Sequence, residues 1–236
     1  MSEERELLRE TVAALVEKHA TPDAVREAMA SERGYDEALW TMLCEQVGAA
    51  ALVVPEELGG AGGELADAAV VFEELGKALV PTPLWGTTLA ELALLSVDHP
   101  DGETLGALAE GTAIGAVVFD TDERLREEQT GRRYVVHGDV ADVVIATDGE
   151  TLTRWTEFTA TPSVSMDPTR RLAVVDGRPD HRRVGRGARR HRRPGDEPAR
   201  VPPSAVGVTG GRAGLRRGVA GRGRDRRVTG LTRPGG

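Results

Sequence analysis

The chain has 236 residues, a formal charge of −8 at neutral pH, one cysteine and 3% aromatic residues. A single cysteine excludes an intrachain disulfide and fits a reducing, cytoplasmic setting. The acidic start, Met1 to Glu6, is followed by no apolar h-region, and no apolar run is long enough to span a bilayer, so the pattern excludes a signal peptide and a membrane helix. The net charge hides a split. Before residue 177 there are 13 Lys and Arg against 34 Asp and Glu; from Gly177 onward there are 17 Arg, no Lys and 4 acids. Such asymmetry implies an acidic globular part followed by a basic tail.

In chain order, Ser2 to His19 reads as a helix capped by Ser2, with Leu8, Val12, Leu15, Val16 and His19 on one face. Thr21 and Pro22 start a second helix that runs to about Ala30. Asp36 to Val47 is a third, burying Leu39, Leu43 and Val47 and stopped by Gly48; Cys44 belongs to it as a small buried residue. The apolar run Leu52–Val54 ends at Pro55. Glycines at 59, 60, 62 and 63 then give a loop able to take positive φ and to approach another backbone closely. A fourth helix begins near Glu64 and buries Leu65, Ala68, Ala69, Phe72, Leu75 and Leu79; its acidic start and Lys77 near its end suit the helix dipole. After Pro81-Thr82-Pro83, Leu84 to Val97 is so uniformly apolar that it predicts a central helix. Asp101 to Glu110 is a short further helix.

The period then changes. Ile114–Phe119, Tyr134–Val136, Val143–Ala146 and Thr151–Phe158 read as short strands, with Asp148-Gly149 as a hairpin turn, and Thr169–Val175 as another. The fold class is therefore α+β: an all-α bundle over 1–111, a partial β-barrel over 112–176, and a disordered Arg/Gly/Pro-rich tail over 177–236. The tail has no Phe, Tyr, Trp, Ile, Met, Lys, Asn or Gln and cannot bury enough surface to offset its ordering entropy.

The segment Val54-Pro55-Glu56-Glu57-Leu58-Gly59-Gly60-Ala61-Gly62, followed by Glu73-Glu74-Leu75-Gly76, resembles the N-terminal domain of acyl-CoA dehydrogenases. The order of domains and the stretch Asp167 to Leu172 agree with that family, and the likeness runs to about residue 176. It implies FAD-dependent α,β-dehydrogenation of an acyl-CoA thioester, with electrons passed to an electron-transfer flavoprotein. The family's catalytic glutamate lies in a third domain, so no catalytic residue is assigned here. The family's flavin-contacting Thr-Glu-Pro segment is not matched by Phe119 to Arg124. Counted back from Ala141-Asp142, Tyr134, Val135 and Val136 fall on the family's Trp-Ile-Thr/Ser cofactor positions, and Val136 has no hydroxyl to offer. Tyr134 and Trp155 are each weighed as a flavin-stacking ring against a core aromatic.

The tail's composition is that of a GC-rich gene read out of frame, and a frameshift near Asp176 is the expectation. It would leave a truncated chain, inactive alone. The alternatives are a noncatalytic partner subunit of a heteromeric acyl-CoA dehydrogenase, or a binding protein using the Arg-rich tail. With no aromatics in that tail, no specific nucleic-acid partner is expected. Glu56, Glu57, Glu73 and Glu74 read as solvated or capping carboxylates. No nucleotide-binding or metal-ligand spacing is present, and His19, His99, His137, His181 and His191 are scattered.

Overall fold

The computed structural model describes residues 2–119, 134–155, 157–178 and 183–186. Six α-helices come first: α1 (Glu3–His19), α2 (Pro22–Ala30), α3 (Glu37–Met42), α4 (Leu65–Lys77), α5 (Leu84–Leu95) and α6 (Gly102–Ala109). Their starts follow the sequence. Ser2, Thr21, Asp36 and Asp101 each accept a first-turn N–H, and Glu64 and Asp67 cap α4 reciprocally. The third helix is α-helical only to Met42. From Leu43 to Val47 it widens into a π-turn, closed by Gly48 at φ +67°.

A first core joins Val12 and Val16 of α1, Leu39 and Trp40 of α3, Leu43, Ala68, Val71 and Leu75 of α4, and Leu84 of α5. The face of α4 differs from the expected one. Ala68, Val71 and Leu75 are buried and Phe72 half-buried, while Leu65, Ala69 and Leu79 are exposed. For Leu79 the reason is the helix end. The Val80 N–H closes on the Leu75 carbonyl, and Leu79 takes φ +55° at the place where a glycine usually turns the chain, so its side chain leaves the stripe. Opposite, Arg9 reaches Glu74 at 2.6 Å and Glu73 at 3.1 Å, and Lys77 also holds Glu74, at 2.7 Å. These hydrogen bonds and charges hold the pKa values of both glutamates below the usual carboxylate value, Lys77 leading at Glu74 and Arg9 at Glu73.

The glycine loop folds on itself. The Gly60 N–H bonds the Pro55 carbonyl at 3.0 Å, and the Gly62 N–H bonds that of Val54 at 2.9 Å. A Cβ on Gly60 would overlap the Val54 carbonyl, which as backbone cannot give way. Gly60→Ala is therefore expected to cost about 3 kcal/mol, read as a lowered urea midpoint. Gly76→Ala is the control: its methyl would meet no atom within 4 Å, and a gain of about 0.5–1 kcal/mol from helix propensity is expected.

Seven strands follow: β1 (Gly115–Phe119), β2 (Tyr134–Val136), β3 (Val143–Thr147), β4 (Thr151–Trp155), β5 (Glu157–Ser163), β6 (Leu172–Arg178) and β7 (Arg183–Arg186). They form two sheets, ordered β1-β3-β4-β7 and β2-β6-β5. β1 and β3 are parallel and all other pairings antiparallel. Strands β1, β3 and β4 of the first sheet bury residues on both faces. Val117, Val143, Ile145 and Leu152 pack on Ala90 and Leu94 of α5 and on Leu105 and Leu108 of α6. Ala116, Val118, Val144, Ala146 and Trp155 face Val135, Ala173 and Val175 of the second sheet. That double burial explains why β1 and β3 are continuous apolar runs rather than alternating ones.

Two strands differ from expectation. The stretch 151–158 is not one strand: β4 ends at Trp155 in the first sheet, and β5 starts at Glu157 in the second. β5 pairs with β6 along its whole length. The last expected strand starts at Leu172, not Thr169. Asp167 Oδ1 accepts from both the N–H and the hydroxyl of Thr169, and Pro168 has no N–H to give a ladder, so 167–170 is a turn. β6 runs past Asp176 to Arg178. The remaining tail beyond residue 186, and the segment 120–133, lie outside the described residues.

Candidate functional site

A cavity of about 350 Å³ opens where α4 ends, α5 begins and β2 turns. Phe72, Leu75, Gly76 and Leu79 come from α4 and its exit; Val80, Thr82, Leu84 and Trp85 from the following turn and α5; Val136 and His137 from the end of β2; Thr169 and Arg170 from the turn before β6. Proline fixes the entry to α5. Pro83 carries the helix start, and Thr82 Oγ1 accepts the Leu84 N–H at 3.0 Å. Trp85, 49% exposed, meets Phe72 edge-to-face at 5.1 Å. The walls are thus mainly apolar, with an aromatic edge.

Strain collects here. Among the described residues, Leu79 and His137 are the non-glycine residues with positive φ, both at +55°, and both line the cavity. His137 follows β2, where its N–H bonds the Arg171 carbonyl at 2.9 Å. Its ring is buried, and Nδ1 is enclosed without a hydrogen-bond partner. Burial, and then the Arg171 charge, push its pKa down to about 4, so the ring is neutral at physiological pH.

The expected cofactor residues are split between two faces. Tyr134, paired with Val174, is 50% exposed. Val135, paired with Ala173, turns its side chain into the core between the sheets. Val136, paired with Leu172, is half-buried and reaches the cavity wall. Trp155 is buried between the sheets, with its ring against Gly177. None of Glu56, Glu57, Glu73 or Glu74 lines the cavity. The sequence reading missed Leu79, Trp85, His137 and Arg170. Only the Pro81-Thr82-Pro83 break before an apolar helix hinted that a wall would form there.

Elsewhere, Cys44 is a half-buried thiol whose pKa is pushed up to about 12, first by burial and then by Glu91. It is a core group rather than a ready nucleophile. Among the described residues no cluster of three His, Cys, Asp or Glu could hold a metal ion, and no helix is long and apolar enough to cross a membrane.

Residues 2–97 match the family described as acyl-CoA dehydrogenase, N-terminal domain. A protein named acyl-CoA dehydrogenase IpdE2 from Mycolicibacterium smegmatis is 69% identical over 175 residues, covering 74% of this chain and 52% of the relative. Its namesake from Mycobacterium tuberculosis is 66% identical over 171 residues, covering 72% and 50% respectively. The chain thus spans about half the length of the curated relatives it matches. The fold is that of a chain in the ChsE4-ChsE5 complex from Mycobacterium tuberculosis, with a TM-score of 0.63 at 21% identity, covering 80% of this chain and 58% of the other.

Proposed function

This chain belongs to the acyl-CoA dehydrogenase family, and on that premise we propose that it forms one wall of an acyl-thioester pocket and leaves the redox chemistry to residues outside its described part. The observation that carries this reading is the apolar cavity between α4, α5 and β2, in which the described backbone strain is gathered. Leu79, Phe72 and Trp85 would exclude water from an acyl group, and burial of its methylenes would supply the affinity, about 0.8 kcal/mol each. Among the described residues no carboxylate lines the cavity, so no base for the α-proton is assigned among these walls.

FAD, the family's cofactor, supplies the hydride acceptor when bound. The described residues do not make a complete flavin site. Val136 offers no hydroxyl, Val135 points into the core, and Tyr134, which carries the one ring among the three, is half exposed. The purified chain is expected to bind acyl-CoA while holding little flavin. Octanoyl-CoA titrated into the chain should quench tryptophan fluorescence saturably. Added FAD should stay oxidised under anaerobic octanoyl-CoA. Absence of any acyl-CoA binding would remove the reading, and rapid flavin bleaching would show that catalysis resides in this chain after all.

A second reading concerns assembly. Val136 at a hydroxyl position suits a noncatalytic subunit that completes its pocket beside a flavin-bearing dehydrogenase, with electron-transfer flavoprotein as the downstream acceptor. Co-purification with a yellow second chain would support it. The abrupt change to an Arg/Gly/Pro-rich composition after Asp176 supports a frameshift there. Reading the other two frames past that codon tests this: a third-domain helical pattern should appear in one of them.

A further inference from the structure

Two stretches of the second sheet wall the cavity: the end of β2, with Val136 and His137, and the turn before β6, with Thr169 and Arg170. The facing wall comes from α4, α5 and the turn between them. One residue joins the two sheet-side stretches to each other and to the helices. Arg171 does not line the cavity. Its carbonyl accepts the His137 N–H at 2.9 Å, and its guanidinium pairs with Asp139, two residues further on, at 2.6 Å. The turn after β2 is thus held by both the backbone and the side chain of Arg171. The same guanidinium crosses to the turn between α2 and α3, where it donates to the Glu32 carbonyl at 2.7 Å. Gly34 makes that crossing possible: its φ is +73°, and a Cβ there would overlap Arg171 Cδ.

The arginine therefore does two different things. Its charge answers a carboxylate whose side chain is 4% exposed, which is a matter of stability. Its planar fork also donates in two fixed directions, to Asp139 and to Glu32, which sets where the chain at 171 lies. The backbone at 137 is left-handed, at φ +55°, and a histidine keeps that conformation only where its surroundings impose it. We propose that Arg171 is a positioning residue of the cavity: it holds the sheet-side wall against the α2–α3 turn in the conformation that receives a ligand, without touching the ligand. This role rests on reading the cavity as an acyl-thioester site. A wall that is in place only part of the time lowers the apparent affinity by that fraction.

The test separates positioning from charge pairing with the double variant Arg171→Met/Asp139→Leu of the full chain. No carboxylate is stranded in it, so the fold is kept, but the turn after β2 loses its tie to Glu32. Octanoyl-CoA, followed by tryptophan fluorescence, should bind the double variant about tenfold more weakly than the native chain, as for a wall in place about a tenth of the time. Without ligand, the His137 amide should exchange with deuterium about tenfold faster in the double variant, while amides of α1 keep their native rates. Gly34→Ala disturbs the same crossing from the helical side and keeps both charges, so it should weaken octanoyl-CoA binding in the same direction. Arg33→Met is the control: Arg33 lies in the same turn but pairs with Glu37 of α3, and its loss should leave binding unchanged. Native affinity in both the double variant and Gly34→Ala, or an unchanged exchange rate at His137, overturns the positioning role. Failure of the native chain to bind octanoyl-CoA overturns the acyl-thioester reading, while the exchange rates still show whether Arg171 holds the wall.

Discussion

Replacing Glu91 with leucine is expected to stabilise the protein, with a gain that grows with pH. Glu91 lies on α5, is 0% exposed, and neither carboxyl oxygen has a hydrogen-bond partner among the described residues. Burial pushes its pKa up to about 9. An unfolded glutamate titrates near 4.3, so the folded state keeps a proton that the unfolded state releases. The unfolded state then binds fewer protons between these values, and stability falls as pH rises from about 4.3 to about 9, by up to about 1.4 kcal/mol per pH unit. Between pH 5 and pH 8 the native chain should lose on the order of 4 kcal/mol through this group, while Glu91→Leu should be nearly flat. Glu91→Gln separates the two contributions. It removes the titration but keeps two polar atoms in the same place, so its pH profile should flatten with a smaller gain. Urea unfolding at both pH values checks this; a native profile that is already flat would show that Glu91 is paired in solution.

The opposite effect is expected from Arg171→Met. Arg171 begins the approach to β6 and ties three parts of the molecule together. Its guanidinium pairs with Asp139 at 2.6 Å, donates to the Glu32 carbonyl at 2.7 Å, and lies in the space left by the missing side chain of Gly34. The Asp139 side chain is 4% exposed, and its other oxygen already has no partner. Removing the arginine strands a buried carboxylate, for which about 3–5 kcal/mol of destabilisation is expected. The double variant Arg171→Met/Asp139→Leu should recover most of it, because no unpaired charge then remains. A single variant as stable as the native chain would mean that water reaches Asp139 and screens it. His137 gives a second readout: with a neighbouring positive charge gone, its pKa should rise from its depressed value.

Helix starts were legible in the sequence because each is a local event. A side chain two or three residues away satisfies the first free N–H groups, and Ser2, Thr21, Asp36 and Asp101 do so as their positions imply. The glycine loop was legible for the same reason, since its close approach is between backbone atoms only a few residues apart. The α4 face was read less well. A periodicity argument continues the stripe through Leu79, but the left-handed exit of that residue ends it. The change of sheet between Trp155 and Glu157 was hidden because the same apolar and polar alternation serves either sheet.

The candidate site was less legible still. Tyr134 and Val136 share one face of β2 by the period of two, which places Val135 in the core, and that much follows from counting. His137 reads in the sequence as one of five scattered histidines. What sets it apart is its burial at the end of β2 with Nδ1 enclosed and unpartnered, which no count of histidines carries.

The sequence by itself determined the order of helices and strands, the turn chemistry at Pro55, Gly59 and Asp148, and the family, because capping, periodicity and a motif of closely spaced residues are local properties. The tertiary structure alone decided which polar groups are stranded. Glu91 and His137 lose their solvent only when α5 is pressed against β1 and the end of β2, and Asp139 depends on an arginine thirty-two residues along the chain. Desolvation depends on everything packed around a group, and no local pattern carries that information.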